Sequence, residues 1–98
     1  MATAIKVSAC DNELYIVAST GAGTSEILHI TSGYNDPVSY AVNLNSILPP
    51  GKYDLTMVGI NWGGPAKFAV TVGTTPYTYN NASAPVGAVW NQTVSVTI

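Results

Sequence analysis

Apolar and polar residues alternate with a period of two through most of this chain, the mark of strands that bury one face. In TAIKVSAC, Ile5, Val7 and Ala9 fall on one side, Lys6 and Ser8 on the other. The next run, ELYIVAS, is more continuously apolar, as a strand covered on both faces would be. EILHIT, VSYAVNL, KYDLTMVGI, AKFAVTV and TVSVTI follow, and in the last Val94, Val96 and Ile98 oppose Thr93, Ser95 and Thr97.

Turn-forming residues separate these runs: DN at 11–12, TGAGT at 20–24, SGYNDP at 32–37, NSILPPG at 45–51 and WGGP at 62–65. No helical period of useful length interrupts them. The pattern predicts an all-β fold, a single Greek-key β-sandwich of about seven to eight antiparallel strands spanning residues 1–98 as one domain. The longest irregular piece, GTTPYTYNNASAPVGA at 73–88, reads as a functional loop or a partly formed strand.

The stretch Leu48–Tyr53, LPPGKY, resembles the Leu-x-Pro-Gly-x-Tyr pattern of a tyrosine corner. There a phenol at the start of a strand bonds back to the main chain of the arch leading into it. The physical need is general, because an arch between sheets leaves backbone groups without ladder partners.

Only 8% of the 98 residues are charged, against about 25% in an ordinary soluble domain. Three lysines and no arginine cannot line a phosphate-tracking groove, which argues against nucleic acid as a partner. No apolar run approaches the roughly 18 residues of a membrane-spanning helix. The start, MATAIKVSAC, lacks a basic region followed by an apolar stretch. The expectation is synthesis in the cytoplasm without a signal peptide, any release being by a non-classical route. Scarce lysine also leaves strand edges unprotected, so a homo-oligomer, most simply a dimer, is expected.

Enzyme chemistry finds little support. Cys10 is alone and reads as a small buried hydrophobe, and His29 lies between apolar neighbours with no nucleophile in a recognisable triad. TGAGT lacks the lysine of a phosphate loop. Asn35 and Asp36 in GYNDP, and Asn80 and Asn81 in YNN, offer oxygens to a hard cation, although the same residues are common turn formers.

TYNNAS at 78–83, ahead of a last alternating strand, resembles the C-terminal segment of the small calcium-dependent galactose-binding lectins of bacteria. That resemblance implies a charge-poor β-sandwich in which an Asn pair, here Asn80 and Asn81, binds calcium and touches the sugar. The family's upstream aspartate falls near Gly73, which has no side-chain ligand to offer.

Aromatic residues in turns carry the remaining signal. Trp62 in GINWGGPA either folds over the sandwich end as a lid or faces a partner, as a platform for the C–H face of a sugar or as a subunit contact. Asn61 beside it, and Tyr77, Tyr79, Asn80 and Asn81, supply the mix of flat apolar surface and polar groups that ligand sites use. The leading expectation is a non-enzymatic carbohydrate-binding protein, a small lectin for neutral sugars with calcium as its cofactor if the resemblance holds. The alternatives are a self-associating structural or protein-interaction module, or a small membrane-active toxin.

Overall fold

A computed structural model describes residues 3–98 as seven antiparallel strands and one short 3-10 turn. The strands are β1 (Ala4–Thr20), β2 (Gly23–Ser32), β3 (Tyr40–Asn43), β4 (Lys52–Asn61), β5 (Ala66–Val72), β6 (Thr75–Asn81) and β7 (Gly87–Thr97). The turn, Leu44–Ser46, opens the arch between β3 and β4.

β1 is 17 residues long and belongs to two sheets. Its first half pairs with β3 and β5, and β6 completes that first sheet. Its second half lies between β2 and β4, and β7 completes the second. The first sheet therefore runs β3-β1-β5-β6 and the second β2-β1-β4-β7. Every pairing is antiparallel, and β4 returns beside β1 only after the β1–β2 hairpin and the excursion to β3, a Greek-key path.

Two expectations fail in β1, for related reasons. Asp11-Asn12 reads as a turn in sequence, yet the strand continues through it: Asp11 still pairs with Lys67 of β5, and Asn12 already pairs with Ser32 of β2. Their polar side chains serve neighbouring loops instead, Asp11 Oδ1 accepting from the Asn35 N–H and Asn12 Oδ1 from the Trp62 N–H. The ladder to β5 also slips by one residue between Val7 and Ala9. A slip of one moves every later side chain to the other face. Ile5 and Val7 point inward, but after the slip Cys10, Leu14, Ile16 and Ala18 do, and Ala9 is only half-buried. The segment 73–88 resolves into β6 and a short loop, so the partly formed strand is the correct half of that expectation.

The sheets face one another across a core of Ile5, Val7, Leu14, Ile16, Leu55, Met57, Phe68, Val70 and Trp90, among others. Phe68 of the first sheet stacks on Trp90 of the second with centroids 5.7 Å apart and planes 9° from parallel. That stack needs Gly59. A β-carbon there would lie 2.6 Å from Phe68 Cε2, so the missing side chain is the space the ring occupies. Burying Phe68 contributes about 2–3 kcal/mol from its apolar area.

The arch into β4 is tied down from three sides. Leu44 plugs the core, Tyr53 Oη donates to the Pro49 carbonyl at 2.7 Å, and Gly51 exchanges two hydrogen bonds with Ile98. Asn43 caps the 3-10 turn by accepting from the Asn45 N–H.

Candidate functional site

Three connections cross between the sheets at the end where β1 changes sheet: residues 33–39, 62–65 and 82–86. The two tight hairpin turns, 21–22 and 73–74, and the arch lie at the far ends of the strands. The crossing end is built around Asn61, the last residue of β4 and fully buried. Its amide nitrogen reaches the carbonyls of Gly64 (2.9 Å), Pro85 (3.1 Å) and Ala84 (3.2 Å), and its oxygen accepts from the Gly63 N–H (3.2 Å). One side chain thus joins the β4–β5 and β6–β7 connections. Both ends of the amide are engaged by main chain and the residue is fully buried, so Asn61 is out of reach of a ligand. It positions; it does not bind.

Trp62 follows immediately. The indole does not close the sandwich end, since the residue is 63% exposed. It is nonetheless held at both ends: its backbone N–H donates to Asn12 Oδ1 at 2.8 Å and its Nε1–H to Glu13 Oε1 at 3.0 Å. The ring therefore lies against the outer face of the second sheet. Gly64, with φ of +72°, provides the left-handed turn that brings the chain back to β5.

Glu13 is the centre of a cluster that sequence reasoning missed. Its Oε2 accepts from His29 Nε2–H at 2.7 Å and from the Tyr15 hydroxyl at 3.2 Å, while Oε1 takes the indole. Tyr15 and His29 stack with centroids 4.0 Å apart and planes 12° from parallel. The hydrogen bond from His29, then that from Trp62 and less so that from Tyr15, hold the Glu13 carboxyl below the usual range for a glutamate. The same carboxylate, together with burial and the charge of Glu26, pushes the Tyr15 phenol up, burial being the largest cause.

The other sequence candidates do not converge on this place. β6 sends alternate side chains to opposite faces. Tyr77 and Tyr79 turn inward and pack on the core, Tyr79 with its ring 6.2 Å from Phe68, whereas Asn80 turns outward opposite Lys67. Asn81 shares the inner face with Tyr79, donates to its hydroxyl at 3.3 Å, and accepts from the Ser83 N–H at 2.9 Å. Asn80 and Asn81 thus point apart, and the Asn81 oxygen is already engaged. The pair does not fit a shared calcium ion.

Among the described residues no group of three or more His, Cys, Asp or Glu gathers, and no helix is long and apolar enough to cross a membrane. Cys10 is buried, its thiol pushed up to about 12 by burial first and then by Asp11 and Glu13. The Asp11 carboxyl is also raised, chiefly by burial, and its Oδ2 lacks a hydrogen-bond partner. An open cleft at the far end of the second sheet is lined by Ser19, Thr20, Lys52, Tyr53, Asp54 and Thr97; its one ring, Tyr53, has its hydroxyl committed to the arch. Comparison with protein-family models, curated proteins and solved structures finds no match to this chain.

Proposed function

We propose that the chain is a non-enzymatic carbohydrate-binding protein, a small lectin for neutral sugars, whose platform is the outer face of the second sheet around Trp62. One observation carries the reading: a tryptophan that is 63% exposed and still fixed by hydrogen bonds at its backbone and its ring nitrogen. An apolar ring left in water costs free energy, and ordering it costs entropy, so a ring both exposed and fixed is a prepared contact surface. The imidazole of His29 and the Tyr15 ring extend that surface, and Asn91, exposed on β7 opposite Val58, supplies an amide.

Neutral ligands suit the site because its central carboxylate, Glu13, is already occupied by three donors and no lysine of the described residues pairs with it. Asn61 contributes by holding the loop. Tyr77, Tyr79, Asn80 and Asn81 stand outside the platform, and the proposal includes no calcium. The Tyr53–Pro49 hydrogen bond supports reading LPPGKY as a tyrosine corner, a feature of the scaffold.

Tryptophan emission reports the test directly, because Trp90 is only 8% exposed and Trp62 supplies the solvent-sensitive signal. Titration with neutral mono- and oligosaccharides, with and without chelator, is expected to shift emission in the native chain and not in Trp62→Ala. A glycan array that retains no sugar under either condition overturns the reading. Dye release from liposomes would instead favour the membrane-active alternative.

A further inference from the structure

We propose that β7 is the edge on which a second copy of the chain docks, the two β7 strands pairing antiparallel to join two second sheets into one. Four strands form sheet edges among the described residues: β3 and β6 in the first sheet, β2 and β7 in the second. An edge exposes a row of backbone N–H and C=O groups, which another strand satisfies, and proteins ordinarily protect edges by shortness, charge, proline or a bulge. Three of these edges carry such protection. β3 has four residues, β6 contains Pro76, and β2 carries Glu26 and His29 and a register slip at its middle. β7 has 11 residues, GAVWNQTVSVT, with no charge and no proline.

The occupant follows from symmetry. When a strand pairs antiparallel with its own copy, each residue meets the one equally far on the other side of the centre. Charged edges then tend to meet like charges, which opposes pairing. The single slip in the β4–β7 ladder falls at Gly59/Ile60, so the regular run Trp90–Val96 is clear of it and symmetric about Thr93. Centred there, Thr93 meets Thr93, Asn91 meets Ser95, Gln92 meets Val94 and Trp90 meets Val96, every pair neutral. The interior also leaks at this edge: Val94 and Val96 face the core and pack on it, yet are only half-buried. A second β7 would cover them.

Antiparallel pairing in one continuous sheet places the two-fold axis perpendicular to it, so both outer faces look the same way. The two Trp62 platforms then lie on one side of the dimer, roughly 35 Å apart from strand spacings near 4.8 Å and a rise near 3.3 Å per residue. If the sugar-binding reading holds, that arrangement gives a bivalent face suited to a surface bearing many glycans; the dimer itself does not depend on that reading.

Sedimentation equilibrium of the full chain, from micromolar to near-millimolar concentration, is expected to show a monomer–dimer equilibrium. Thr93→Lys, at an exposed position, puts two like charges face to face and should weaken association by about tenfold or more. Directly opposite residues lie about 4.5–5.5 Å apart, within reach of a disulfide. Thr93→Cys with oxidised glutathione should therefore yield a covalent dimer, buried Cys10 staying silent. Trp62→Ala should leave association unchanged. A chain monomeric throughout, a dimer that Trp62→Ala dissociates and Thr93→Lys does not, or a Thr93→Cys chain that fails to cross-link overturns the proposal.

Discussion

Two aromatic clusters lie on opposite faces of the second sheet, and they are held by different forces. Inside, Phe68 and Trp90 stack over Gly59 with no polar partner, and the contact rests on area and shape. Outside, Trp62, Tyr15 and His29 gather around one carboxylate, and the contact rests on directional hydrogen bonds. The inner cluster fixes the distance between the sheets. The outer one lies on a sheet that would close without it, so its residues answer to fewer structural demands. A group that contributes little to folding, yet is ordered, is where a binding surface can be kept.

The largest expected effect tests the inner cluster. Gly59→Ala places a β-carbon 2.6 Å from the Phe68 ring and should destabilise the fold by about 3 kcal/mol, read as a lower midpoint in urea unfolding. A loss under half a kilocalorie would mean that the stack can slide and is not the rigid spacer described. Asn61→Ala probes the link between the two regions. It removes the donor to three carbonyls and should cost about 2 kcal/mol, with proteolysis appearing first at residues 62–65 and 82–86. Equal protection of both loops in the variant would show that they are held independently.

The smallest effect belongs to the outer cluster. Because the Glu13 carboxyl titrates lower in the folded chain than in the unfolded one, its contribution is present above the ordinary glutamate range and is lost as pH falls through the folded value. Trp62 emission, followed in a Trp90→Phe background, should therefore stay constant through the usual carboxylate range and change only at more acid pH. A transition within that usual range would contradict the three-donor arrangement, and Glu13→Gln should abolish the transition altogether.

Much of the fold is legible in the sequence, because alternation and turn residues act locally. The TGAGT hairpin and the LPPGKY arch are instances where a few neighbouring residues suffice. The site is less legible because register carries it. Counting back from the Gly21-Ala22 turn without a slip pairs Tyr15 with Leu28 and sends His29 to the inner face. The slip between Ile16 and Val17 pairs Tyr15 with His29 instead and brings the imidazole to Glu13. No residue type announces that slip. Asn61 misled for a similar reason: beside an exposed tryptophan it has the chemistry of a sugar contact, and only the carbonyls of residues 84 and 85, far along the chain, show what it serves.

β1 belongs to both layers, and this has a consequence for biogenesis. Its partners β4 and β5 lie far along the chain, with β5 ending at Val72. A nascent chain emerging from the ribosome can form the β1–β2 hairpin early, but neither layer gains its central ladder until β4 and β5 have also been made. Assembly must then proceed from distant pairings, which are slow to find. During synthesis β1 waits for β4 and β5 with its apolar face open, and a chaperone that shields short extended segments would have its longest engagement there.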